Sequence, residues 1–143
     1  MPTVERTFTV DRPRRKVWRF LADFTTTEEW DPPTLTTDRV SGDGGVGTRY
    51  HNVSKFRGRR TEVEYVVTEF VDQVRLQVHG RAAAGALVGT LTVEDTVDGG
   101  TRVTYHADFL PSGDPPRAVL DHEGVAVLGD FVAESLRDSL EHL

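Results

Sequence analysis

Tyr65 and Tyr105 are the residues of this sequence best placed to act on a small molecule, because both sit at inward-reading positions of alternating segments. A buried phenol seeks a hydrogen-bond partner. Either hydroxyl can orient a ligand carbonyl or act as a general acid; the competing role is a core tyrosine satisfied by backbone. His51 and Arg49 share one face of another segment. If that face points inward, His51 can move protons near neutral pH and Arg49 can hold a carboxylate or an enolate. If it points outward, both are surface groups, and Tyr50 and Asn52 take the inner positions. The five histidines, His51, His79, His106, His122 and His142, lack the spacing of metal ligands. His106 and Asp108 share a face expected to be wet. No metal and no cofactor is expected. The sequence has no G-x-S-x-G elbow, no H-E-x-x-H pair and no P-loop. Gly42–Gly47 is rich in glycine, but no helix follows it, so it reads as a hairpin turn rather than a phosphate cradle.

The elements that must position these groups follow from periodicity. Thr3–Val10 alternates, with Arg6 interrupting its apolar set, which suits an edge strand. Asp11–Phe24 reads as a helix, capped by Asp11 with Pro13 in its first turn, and Val17, Phe20, Leu21 and Phe24 form one face. Arg12, Arg14, Arg15 and Lys16 are expected on a solvated face. A short second helix, Thr25–Trp30, capped by Thr25 or Thr26, ends at Asp31-Pro32-Pro33, since proline cannot continue a helix. Trp30 is expected to pack at that corner. Six strand candidates follow: Leu35–Ser41, Thr48–Phe56, Arg60–Val71, Val74–Arg81, Ala86–Val97 and Arg102–Leu110. Their short joints make them antiparallel neighbours in a meander. The joint Arg81–Gly85 has little side chain to anchor it and reads as a plain loop, with a mobile cavity rim as the alternative.

Alternation orients most strands. Val74, Leu76 and Val78 face the core, as do Val103, Tyr105, Ala107 and Phe109, and Leu91 with Val93. Val63, Tyr65 and Val67 do the same, although Val66 and Phe70 blur the pattern. Asp114–Leu143 reads as a closing helix that starts at a cap followed by two prolines. Leu128, Val132, Leu136, Leu140 and Leu143 line one face, with Phe131 beside it. About 28 residues at 1.5 Å each give about 42 Å, enough to cross a sheet. Gly124 and Gly129 either admit close approach to the sheet or leave room for a ligand, and Gly124 is a possible break. Strands without intervening helices exclude a parallel α/β sheet. The fold class is α+β, a curved antiparallel sheet of about seven strands wrapped around a long C-terminal helix.

At 143 residues the chain fits one domain, residues 1–143. Its 17 basic and 23 acidic residues give a net charge of −6, which disfavours nucleic acid as a partner. Without cysteine there is no disulfide frame, thiolate site or Cys nucleophile. No apolar leader and no run near the roughly 20 residues of a membrane span is present, so a cytoplasmic protein without membrane insertion is expected.

The text Phe8-Thr9-Val10-Asp11-Arg12-Pro13, then Val17–Phe24, then Trp30-Asp31-Pro32, resembles the opening of the START-like (SRPBCC) superfamily, which includes polyketide cyclase/dehydrase-like proteins and the birch-pollen allergen. Gly45-Val46-Gly47-Thr48, Val66-Val67-Thr68-Glu69 and Gly99–Tyr105 are similar to its later strands. The resemblance covers essentially the whole chain. It implies a helix-grip fold and an internal cavity for lipids, hormones or polyketides, with catalysis in some members; fold alone does not fix function. Three functions follow as alternatives: binding of a hydrophobic or aromatic small molecule, a cyclase, aromatase or dehydratase acting on a polyketide-like chain, or a protein-interaction module with a collapsed cavity. The expected lining is Tyr65, Leu76, Leu91, Tyr105, Phe109, Leu128, Val132 and Leu136, core positions first and ligand contacts second. His51, Arg49, Tyr65 and Tyr105 are the catalytic candidates. A monomer or homodimer is expected.

Overall fold

A computed structural model describes residues 3–56, 58–83, 85–111 and 122–143. Seven strands form one antiparallel sheet in the order β1-β7-β6-β5-β4-β3-β2. They are β1 Thr3–Val10, β2 Thr34–Ser41, β3 Arg49–Phe56, β4 Arg59–Val71, β5 Arg75–Ala82, β6 Gly85–Asp95 and β7 Thr101–Pro111. Between β1 and β2 lie helix α1, Arg14–Ala22, a 3-10 turn, Phe24–Thr26, and the single-turn helix α2, Thr27–Trp30. Helix α3, His122–Glu141, packs against the sheet. This is the helix-grip arrangement expected from the sequence.

The meander forms because each joint from β2 to β7 is short and rich in turn residues. Gly42 has φ +97, and a Cβ there would come 2.6 Å from Thr48 Cα, so only glycine fits. The joint after β5 is tighter than expected. Ala82 pairs with Gly85, so the stretch read as a plain loop belongs mostly to a hairpin. Strand β6 ends at Asp95, and Val97, assigned to it from sequence, is fully exposed.

Register explains the blurred strand. Tyr65 pairs with Gly80 and Val67 with Val78, but beyond a bulge Phe70 pairs with Leu76. The extra residue turns Phe70 to the same face as Val63, Tyr65 and Val67. There Phe70 meets the edge of Trp18, with ring centroids 5.6 Å apart. Val74 lies outside β5 and is 43% exposed, so it does not continue the inward row of Leu76 and Val78.

The helix starts differ from expectation. Helix α1 begins at Arg14 with Pro13 at the N-cap position and no side-chain cap, so Asp11 does not cap it. Its buried face is Val17, Trp18 and Leu21, with Phe20 only partly buried. Asp23 caps the 3-10 turn by accepting from the Thr25 backbone N–H, and neither Thr25 nor Thr26 serves as a side-chain cap. The basic cluster is not wholly solvated. The Arg12 guanidinium donates to the carbonyls of Glu141 and Leu143 at the C-terminal end of α3, where a cation meets the negative end of the helix dipole. Arg14 donates to the Gln73 carbonyl and pairs with Asp95 at 3.2 Å. The expected start of α3 at Asp114 lies outside the described residues.

Strand β1 is an edge strand, as Arg6 suggested. Arg6 reaches α3, donating to Asp130 at 2.8 Å and to the Ala126 carbonyl at 3.2 Å. Beside it, Gly129 admits the close approach: an added Cβ would overlap Val4 Cγ2. Alanine is favoured over glycine in a helix by about 1 kcal/mol, but here the overlap dominates. Gly129→Ala is expected to destabilise the fold by about 1–3 kcal/mol, measured as a lower urea midpoint. A stabilised variant would show that α3 can retreat from β1.

Candidate functional site

A cavity lies between the short helices and the concave face of the sheet. Phe24, Thr27, Trp30 and Asp31 roof it; Thr34, Asn52 and Tyr65 form one wall. Leu76, Val78, Leu87, Gly89, Thr90, Leu91 and Tyr105 form the rest. The space open to the centres of water-sized molecules is about 50 Å³, enough for a few waters. The lining is mostly apolar, with a small set of polar groups, the usual build of a ligand site.

Each polar group is held by its own element. Helix α2 ends where its last turn meets two prolines, and the Asp31 backbone N–H donates to the Thr27 carbonyl at 2.9 Å. Asp31 is thereby placed at the corner between α2 and β2. A hydrogen-bond chain aims it: Asn52 Nδ2 donates to Thr34 Oγ1 at 3.1 Å, and Thr34 Oγ1 donates to Asp31 Oδ2 at 2.6 Å. Asn52 is itself fixed, donating to Thr37 at 2.8 Å and accepting from Ser54 at 2.6 Å. Trp30 donates its indole N–H to Thr26 Oγ1 and lays its ring edge-on to Tyr105, with centroids 6.4 Å apart. Phe24 meets Tyr65 at 4.9 Å. Gly80, opposite Tyr65, makes room for its ring, since a Cβ there would come 2.7 Å from Tyr65 Cε1.

The electrostatics follow from burial. Loss of water pushes the Asp31 carboxyl up to about 6, against the pull of the Thr34 hydrogen bond. Burial, and then the nearby Asp31 charge, push the Tyr65 phenol well above its ordinary range; the same two causes act on Tyr105. Both therefore stay protonated at any physiological pH. Among the described residues neither hydroxyl has a hydrogen-bond partner. The site thus holds two free donors and one carboxyl poised near neutrality.

Four of the expected lining residues, Tyr65, Leu76, Leu91 and Tyr105, are in the cavity wall. Val132 and Leu136 are fully buried core residues on α3, and Phe109 and Leu128 pack around Val4, Ala107 and Val125. None of these four lines this cavity, because it opens under α2 and not against α3. Strand β3 takes the alternative register: Tyr50 and Asn52 point in, and His51 and Arg49 point out. His51 sits between Glu62 at 3.3 Å and Glu64, whose hydrogen bond holds its imidazole above the usual range. It is a surface ion pair and cannot reach a ligand in the cavity. His106 lies 3.2 Å from Asp108 and 3.6 Å from Glu5, on the outer face as expected. Among the described residues no three His, Asp or Glu side chains gather as a metal site.

Asp31 stands out in the sequence only as part of a helix stop. The available signal was an acidic residue fixed between a large aromatic and two prolines, at the point where the chain must turn under the sheet.

Residues 1–143 match the family described as polyketide cyclase/dehydrase and lipid transport. The chain belongs to that family. No curated protein matches this member. Among solved structures, Ara h 8.0201 superposes with a TM-score of 0.73 at 17% identity, covering 99% of this chain and 98% of that one. The Zhui aromatase/cyclase from a Streptomyces species gives 0.68 at 18% identity over 98% and 91% of the two chains. The di-domain aromatase/cyclase StfQ, from the steffimycin biosynthetic pathway, gives 0.74 at 17% identity, covering 97% of this family member and 45% of StfQ. At such identities the likeness carries the fold. Among the described residues no helix is long and apolar enough to cross a membrane.

Proposed function

We propose that this protein binds a compact hydrophobic or aromatic small molecule in the cavity beneath α2, with Asp31, Tyr65 and Tyr105 orienting its polar end. The observation that carries this reading is a mostly apolar cavity whose wall holds two phenols and one carboxyl. A ligand acceptor gives these hydroxyls the partner that buried phenols usually have. The family description supports the same reading. The small volume favours a ring-bearing molecule over a long acyl chain, and larger ligands require the wall to move. A second reading, an enzyme of the cyclase, aromatase or dehydratase type, is favoured by one feature: a carboxyl near neutrality facing the same space. The interaction-module reading lacks support from a collapsed interior, since the space stays open.

Gly89 offers the test. It lines the cavity, and a Cβ there meets only ordinary contacts, 3.5 Å from Val78 Cγ2 and 4.0 Å from Leu87 Cδ1. Gly89→Leu is expected to fill the space without unfolding the sheet. Titration of the wild type with 2-naphthol should quench tryptophan emission through Trp30 and saturate, and the plugged variant should lose the effect. Equal quenching in both proteins would place binding elsewhere.

A further inference from the structure

The three polar groups Asp31, Tyr65 and Tyr105 of the cavity complement one another, and their sum points to a reaction. Two phenol hydrogens need an acceptor oxygen from the ligand. The carboxylate needs a proton donor from the same ligand. A carbonyl compound with an acidic C–H beside the carbonyl supplies both, and the aromatic rings of Trp30 and Phe24 supply an apolar wall for its body.

We infer that Asp31 is a general base that removes a proton from the carbon next to the carbonyl of a ring-bearing ketone, while Tyr65 and Tyr105 donate hydrogen bonds to the oxygen. This rests on the cavity being the ligand site. In the step, one Asp31 carboxylate oxygen takes the proton. The C–H electron pair becomes the C=C bond of the enolate, and the carbonyl π pair moves onto oxygen, where the phenols stabilise it. Return of a proton from Asp31 to carbon restores the ketone, so no other reactant is consumed. Thr34 and Asn52 are positioning residues that aim the carboxylate. The groups that face Asp31 are the two phenols, from β4 and β7, and the Thr34 hydroxyl; both phenols remain protonated. Asp31 alone therefore sets the pH profile, and its raised pKa lets it act as a base above about pH 6.

Acetophenone and 2-tetralone in deuterated buffer at neutral pH test this. NMR reads deuterium at the α-carbon, and a separate titration of the same ketones reads binding. The expected result is exchange at least about tenfold above buffer, rising with pH through about 6. Asp31→Asn should bind the ketones yet exchange at the buffer rate. Tyr65→Phe and Tyr105→Phe should each slow exchange by about tenfold or more, and circular dichroism confirms that the variants are folded. Binding without exchange, or exchange unchanged in Asp31→Asn, overturns the inference and leaves the cavity reading standing. No binding of these ketones or of 2-naphthol overturns both.

Discussion

Asp31→Asn is expected to stabilise the protein at pH 7.5 by about 3 kcal/mol. The carboxyl titrates near 3.8 when unfolded and near 6 when folded, a difference of roughly two pKa units at about 1.4 kcal/mol each. Between those values the folded state binds the proton more tightly than the unfolded state. Stability contributed by the protonated acid is therefore fully present below about pH 4 and lost as pH rises through about 6. Above that, folding must bury a charge whose only protein hydrogen-bond donor among the described residues is Thr34. Asparagine has no charge to bury and can still accept from Thr34. The gain should thus be absent at pH 4 and complete by pH 7.5, measured by urea denaturation at both values. An Asn variant less stable at pH 7.5 would mean that Asp31 is held by partners that prefer the anion. A natural residue that destabilises its own fold is the usual mark of a site kept for function.

Most of the architecture was legible because it follows from local signals. Turn glycines at 42–47 and 99–100, period-two alternation in β5 and β7, and the Val132, Leu136, Leu140 stripe of α3 each specify one element. The edge role of β1 was readable from Arg6 alone. What failed depended on register or on distant contact. A single bulge in β4 reversed the face of Phe70, which no alternation can foresee. The inner face of β3 carries Tyr50 and Asn52, polar residues that pattern reading cannot tell from His51 and Arg49 on the outside. Tyr65, Leu76, Leu91 and Tyr105 stand in the cavity wall because they are inward-facing residues of central strands. The α3 residues Val132 and Leu136 are fully buried in the core cluster and do not line this cavity; Gly129 lets the helix descend onto Val4. Asp31 was missed because its chemistry arises from burial, which is a property of the assembled roof and not of the Trp30-Asp31-Pro32 text.

The division between core and cavity makes opposite demands on two neighbouring kinds of residue. Leu136 is fully buried within the main core cluster, among close-packed side chains and away from the cavity. Leu136→Ala removes packed methyl groups and leaves a void that a rigid sheet cannot close. A loss of about 2–5 kcal/mol is expected, seen as a large drop in urea midpoint. Tyr65 packs against the same cluster but is only partly buried, and its hydroxyl has no partner among the described residues to lose. Deleting a hydroxyl that has no protein partner breaks no bond, so Tyr65→Phe should change stability by less than about 0.5 kcal/mol. Measured side by side, the two variants separate residues that hold the fold from residues that await a ligand. If Leu136→Ala were mild and Tyr65→Phe severe, the cavity would have to lie under α3, with the phenol serving the core. The order of the two effects follows directly from where Gly129 lets α3 descend and where α2, ending at Trp30, keeps the roof above the sheet.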